Sequence, residues 1–252
     1  MFRKTLAAAV VALLPVAAVA QDGVAFTLGL GAALAPGYFG SDDYEIGPTG
    51  SLSLEHLRLG GFSLGSPDPG EAREGFSVGG SFRLIGSREA ADHPELTGLN
   101  DLDAAVELGL GLAYAGPGYR AFANLRYGVV GHESTVGEIG ADAVVRASDR
   151  LTLNAGPRAF FGSDRYAATY FGVTPAEAAA SGLPAFAAQG GLLSAGVEIG
   201  AHYRIDENWG LKGAITYGRW MGDAADSPIT GLGSRSHAGA SLILTRRVQI
   251  GF

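Results

Sequence analysis

Apolar side chains recur at every second position of this chain, in runs of roughly ten residues, the length that crosses a membrane as a tilted strand. Val24, Phe26, Leu28, Leu30, Ala32 and Leu34 open the series, and Phe76, Val78, Gly80, Phe82 and Leu84 repeat it. Further runs occupy 106–114, 119–129, 139–145, 151–161, 195–205 and 209–217. The last runs from Ala238 through Leu242, Leu244, Val248 and Ile250 to Phe252, and weaker candidates lie at 46–54 and 57–65. A period of two puts successive side chains on opposite faces of a strand, so each run has one apolar face and one small or polar face.

A soluble antiparallel sandwich also alternates, so the choice of sheet rests on other features. Aromatic residues gather at strand ends: Tyr114, Tyr119, Tyr127, Phe161, Tyr203, Trp209, Tyr217 and Phe252. Interfacial girdles of a membrane barrel look like this. Connections also alternate in length. "AGPG", "ASDR" and "DEN" are short, whereas 86–102, 162–192 and 222–235 are long, as periplasmic turns and outer loops are. The expected fold is all-β: a closed antiparallel transmembrane β-barrel with a short helix in a long outer loop. About eleven runs are visible, and single-chain bacterial barrels have an even number. Twelve strands are therefore expected, one of them hidden near 165–171, with ten as the alternative.

The two ends agree with that reading. Arg3 and Lys4, an apolar stretch from Leu6 to Val16, and Ala18-Val19-Ala20 have the order of a cleaved signal peptide. Residues 1–20 are expected to be removed, leaving 21–252 as the barrel. A final strand ending in Phe252 is expected to be the assembly signal read by the barrel-assembly machinery, in a protein of the outer membrane in contact with lipid and lipopolysaccharide. Arg246 interrupts the apolar face of that strand, at a level where its stem can snorkel. The absence of cysteine excludes disulfides and thiolate metal sites. A net charge of -7 without a basic patch argues against nucleic acid.

The polar faces hold the candidate functional residues. Basic Arg83, Arg120, Arg126, Arg158, Arg204, Lys212 and Arg247 face acidic Glu107, Glu138, Asp142 and Glu198. Small barrels are filled by their own side chains, so a salt-bridged lumen is expected, with an anion-favouring pore as the alternative. Catalysis needs a nucleophile, a base and an orienting group in mutual reach. "GHEST" (131–135) offers His132, Glu133 and Ser134, but neighbours on a tight loop point apart, and a polar outer turn is expected there. His202 and His237 read as hydrogen-bonding groups of the lumen. Asp42, Asp43 and Glu45, with Asp223 and Asp226, read as solvated loop acids. No catalytic, cofactor or metal site is expected, and the protein is read as non-enzymatic. Within "YFGVTPAEAAASGLPAF" (170–186), Thr174 can cap a helix, Pro175 suits its first position, Glu177 completes a capping box and Gly182 stops it. This helix is expected to fold over the barrel mouth as a lid.

Four stretches carry a family resemblance: "PGYFGSDDYEIGPTGSLSLEHL" (36–57), "YFGVTPAEAAASGLPAFAAQGGL" (170–192), "WGLKGAITYGRWMGDAADSPI" (209–229) and the Phe252 ending. Together they resemble the MipA/OmpV family of outer-membrane proteins. The resemblance implies a β-barrel. For the family's namesake it implies a scaffold between a lytic transglycosylase and a peptidoglycan synthase. The expected function is thus a non-enzymatic scaffold in envelope maintenance, with a small porin-like channel or a surface adhesin as alternatives.

Overall fold

The computed structural model describes residues 22–60, 62–65 and 74–252. The expected signal peptide lies outside these residues. The strands are β1 (Gly23–Pro36), β2 (Tyr44–Leu59), β3 (Phe62–Gly65), β4 (Gly75–Ile85), β5 (Ala105–Gly116), β6 (Tyr119–Val130), β7 (Thr135–Arg146), β8 (Leu151–Gly162), β9 (Gly191–Arg204), β10 (Trp209–Trp220) and β11 (Ser236–Gly251). They form one antiparallel sheet, ordered β3-β2-β1-β11-β10-β9-β8-β7-β6-β5-β4. β1 pairs with β11 from Gly23 opposite Gly251 to Leu34 opposite Ala240. β2 and β4 meet at the remaining seam, where Gly79 and Gly80 lie against Leu54. The barrel is thus nearly closed.

Ten strands are long, and β3 is a four-residue extension paired to the end of β2. The expectation of twelve is corrected to ten for two reasons. First, 46–54 and the start of 57–65 belong to one strand. Ala25 pairs with His56 but Phe26 pairs with Leu54, so Glu55 is an extra residue. Such a bulge reverses the phase of the alternation and makes one strand look like two. Second, 165–171 is not a hidden strand. It lies in α1 (Asp164–Phe171), whose Tyr166, Ala167, Tyr170 and Phe171 are buried together. Their spacing puts them on one side of a helix.

Three further short helices sit at the loop end: α2 (Pro175–Ser181), α3 (Gly222–Asp226) and α4 (Pro228–Gly231). No helix among the described residues is long and apolar enough to cross a membrane, and the barrel wall is built of the long strands. Their outer faces are apolar and open: Leu30 and Ile46 are 79% exposed and Phe76 is 78% exposed. At the turn end, Phe76, Tyr114 and Tyr119 lie ring beside ring, at 4.9 and 6.2 Å. The Arg246 guanidinium lies 5.2 Å from the centre of the Trp209 ring at the same end. These contacts form an amphipathic belt suited to an interface. The fully buried large side chains, among them Tyr166, Phe171, Leu96, Leu193 and Ile229, belong to the loop end.

Candidate functional site

The mouth is filled by α1. Tyr166, Tyr170 and Phe171 pack with Trp220 at the end of β10, Leu193 of β9 and Ala224 of α3. Phe39, from the first loop, joins them with ring centres 5.0 Å from Tyr170 and 5.3 Å from Trp220. Burial pushes the Tyr166 phenol up to about 12, and that of Tyr170 higher still. Both rings are therefore neutral over the physiological range.

The helix marked by the capping motif lies elsewhere, on a second cluster of Tyr38, Leu96, Leu99, Val173 and Ile229. Thr174 Oγ1 accepts the Glu177 N–H at 3.3 Å, and the Thr174 N–H donates to Glu177 Oε2 at 2.8 Å. Pro175 opens the helix, and Gly182 ends it at φ +78° with its N–H on the Ala178 carbonyl. Glu177 does more than cap, because its Oε1 also accepts the Asn100 N–H at 3.0 Å. Burial raises the Glu177 carboxyl, but the Asn100 and Thr174 donors and the Arg88 charge outweigh it and hold it below the usual range. The loop bearing Asn100 approaches closely. A Cβ on Gly98, at φ +92°, would stand 2.6 Å from the Ala180 carbonyl carbon. α2 thus ties the 86–104 loop to the 163–190 loop.

Beneath α1 lies a charged cluster centred on Glu107, which is fully buried. Arg126 Nε donates to Glu107 Oε2 at 2.9 Å, and Arg83 Nη1 approaches Glu107 Oε1 at 3.4 Å. Arg126 also reaches Glu138 at 3.0 Å, and Arg83 donates to the Tyr166 hydroxyl at 3.3 Å. A neighbouring cluster joins Arg158 to Asp142 at 2.7 Å and to Glu198 at 2.9 Å. Charges removed from water are tolerable only when paired in this way.

"GHEST" is not the polar outer turn expected of it. His132 and Ser134 are buried together under the Tyr166 and Tyr170 rings. Gly131 at φ +87° and Glu133 at φ +45° curl the chain so that Ser134 returns to His132. The Ser134 N–H donates to His132 Nδ1 at 3.2 Å, so Nε2 carries the ring proton and faces Glu107 Oε1 at 3.2 Å. Ser134 Oγ lies 2.6 Å from Nδ1. These are the members of a hydrolytic triad, but the hydroxyl is enclosed by the aromatic plug. His237 bonds to Ser194 at 2.9 Å beside Trp220.

Below these clusters the lumen widens into a cavity of about 930 Å³ that extends to the turn end. Arg120, Arg204, Lys212 and Arg247 lie here, apart from the other seven residues of the expected network. Arg247 pairs with Glu55 at 2.8 Å. Glu55 also accepts the Thr27 hydroxyl. Arg204 donates to the Asp149 carbonyl at 2.6 Å. Arg120 and Lys212 have no ion-pair partner among the described residues, and Arg120 stacks at 5.3 Å on Phe122. Sequence reasoning missed Glu55, although the phase break between Leu54 and Leu57 marks it. No group of three or more His, Asp or Glu able to hold a metal occurs among the described residues.

The sequence profile of the family described as MltA-interacting protein MipA matches residues 28–248. The chain belongs to this family. The match runs from within β1 to within β11, and MipA-family membership with the barrel architecture supports an outer-membrane location. Among curated proteins no significant relative is found. Distant likenesses occur among solved structures. An outer-membrane channel from Pseudomonas putida F1 is 11% identical, with 90% of this chain and 96% of that one covered at a TM-score of 0.44. The CymD monoaromatic hydrocarbon channel is 11% identical, with coverages of 92% and 88% and a TM-score of 0.36. The NanC porin is 6% identical, with coverages of 90% and 100% and the same TM-score, 0.36.

Proposed function

We propose that this MipA-family barrel is a non-enzymatic outer-membrane protein with a closed lumen, acting from its periplasmic side as an interaction partner in envelope maintenance. One observation carries the reading: α1 and its aromatic neighbours fill the mouth above the Glu107 cluster. A solute crossing the barrel would have to displace that plug and break a buried ion cluster. The capped helix, with Thr174, Pro175, Glu177 and Gly182, acts in this reading as the clasp of the lid rather than as its filling.

The family description supports a lytic transglycosylase as the periplasmic partner, and the resemblance of the four motifs adds a peptidoglycan synthase. The short turns offer little area for a stable interface. The contact is therefore assigned to the rim and vestibule of the turn end. In the same reading, the signal peptide is cleaved before Gln21, Phe252 guides barrel assembly, and the outer face meets lipopolysaccharide. Crosslinking and pull-down from envelopes should recover a lytic transglycosylase. Recovery of no cell-wall enzyme would sink the scaffold role.

A channel is the second reading, favoured by the wide vestibule. Purified protein in planar bilayers should give no reproducible conductance steps. Steps from the unmodified protein would reject the closed lumen and favour the channel.

A further inference from the structure

We infer that the turn-end vestibule is a capture site for small multivalent anions entering from the periplasm. Its charge runs against that of the chain. The whole sequence carries -7, yet among the described residues the strands lining the cavity supply Arg120, Lys212 and Arg247 to its interior against one carboxylate, Glu55. The other lining acids, Asp149, Asp206 and Glu207, belong to the turns at the rim.

The distribution of ion pairs points the same way. Arg83, Arg126 and Arg158 each have a carboxylate partner. Asp142 sits directly opposite Arg120 in the β6–β7 ladder, but its carboxylate bonds Arg158 instead. Arg120 is left facing the cavity, its guanidinium lying over Phe122. Lys212 likewise stands opposite His202 rather than an acid.

Geometry sets the valency. Arg120 on β6 and Lys212 on β10 are four ladders apart in a ring of ten long strands, so they face each other across the lumen. A ligand with two or more negative groups, carboxylates or phosphates, can meet both cations at once. The cavity's 930 Å³ falls within the span of about 300–1,000 Å³ usual for small-molecule sites. Low-dielectric walls focus the field of such a cluster. With the mouth plugged, an attracted anion is held and does not pass through.

The test uses the full mature chain folded in lipopolysaccharide-free micelles at low salt. Calorimetry with citrate, inositol hexakisphosphate and uncharged glucose should show saturable binding of an anion and none of glucose. Preference for citrate assigns carboxylate ligands, and preference for the hexakisphosphate assigns phosphate ligands. The double variant Arg120→Gln/Lys212→Gln should bind at least about tenfold more weakly, the loss that goes with one charge-assisted hydrogen bond. The outward Arg246→Gln should bind as the parent does.

A second measurement needs no variant. Lys4 and Lys212 are the sole lysines of the sequence. Acylation of Lys212, read by mass spectrometry, should slow when the bound anion is present. No saturable heat with either anion, or unchanged Lys212 acylation at saturating anion, would overturn the site. A folded double variant that binds as tightly as the parent would do so too. A pull-down that recovers no cell-wall enzyme would leave this site standing.

Discussion

Glu107 holds three cationic or proton-donating partners at once: Arg83, Arg126 and His132. Removing its charge leaves Arg126, only 4% exposed, with Glu138 as its one carboxylate among the described residues, and takes from Arg83 the carboxylate it approaches. Glu107→Gln should therefore cost about 3–5 kcal/mol, the usual loss when a buried pair is broken from one side. The midpoint of urea unfolding, followed by tryptophan fluorescence, would read it. Arg165→Ala, which breaks an exposed pair with Glu133, should shift stability by no more than about 1 kcal/mol. Glu177 gives a pH dependence. Its folded pKa is depressed, so its contribution is complete above the ordinary value of about 4.3 and is lost as pH falls through the folded one. Pepsin should cut the 163–190 loop faster as pH drops below that point, and Glu177→Gln should remove most of the difference. At this scale parity along the strands was legible where the ladders run straight: Arg120 lies opposite Asp142, and Arg158 bonds Asp142 and Glu198. The positions it missed are those where the backbone leaves the strict alternation. Glu55 sits at a bulge, and Ser134 follows a left-handed Glu133.

The helices differ in how much of themselves they write into the sequence. α2 carries its own start and stop in Thr174, Pro175, Glu177 and Gly182, so it was readable without its surroundings. α1 lacks such marks. Its N-cap Ser163 makes no side-chain cap, and Gly172 ends it at φ -76° rather than in the left-handed region. Its helicity is imposed by the pocket that takes Tyr166, Tyr170 and Phe171, and a seven-residue window could not tell that from a strand. The same dependence makes the loops cooperative. Gly98→Ala would push its Cβ into the backbone of α2 and should loosen both loops at once. Limited proteolysis should then cut within 86–104 and 163–190 while the barrel remains intact. Cleavage confined to one loop would show that the tie is weaker than its geometry suggests.

For the molecule as a whole, all-β class, antiparallel order and the sides on which long loops and short turns lie were legible from period and spacing. The strand number was not, because one bulge and one unmarked helix disturbed the count. The plug sets a prediction at this scale. Tyr166→Ala/Tyr170→Ala empties the centre of the mouth without touching a strand and should raise conductance above the silent parent in planar bilayers. Unchanged silence would place the barrier in the Glu107 cluster instead.

The pairing of β1 with β11 has a consequence in time. Most of the sheet can grow hairpin by hairpin, each strand meeting the one just made. β1 cannot: its second neighbour lies almost the whole chain away, and closing so long a loop is slow. Until β11 arrives, β1 keeps a naked edge, and no amount of order elsewhere can cover it. Barrel closure is thus the late event of folding. A chain halted before Ser236 should accumulate as an open sheet needing a chaperone, however well its other strands have paired.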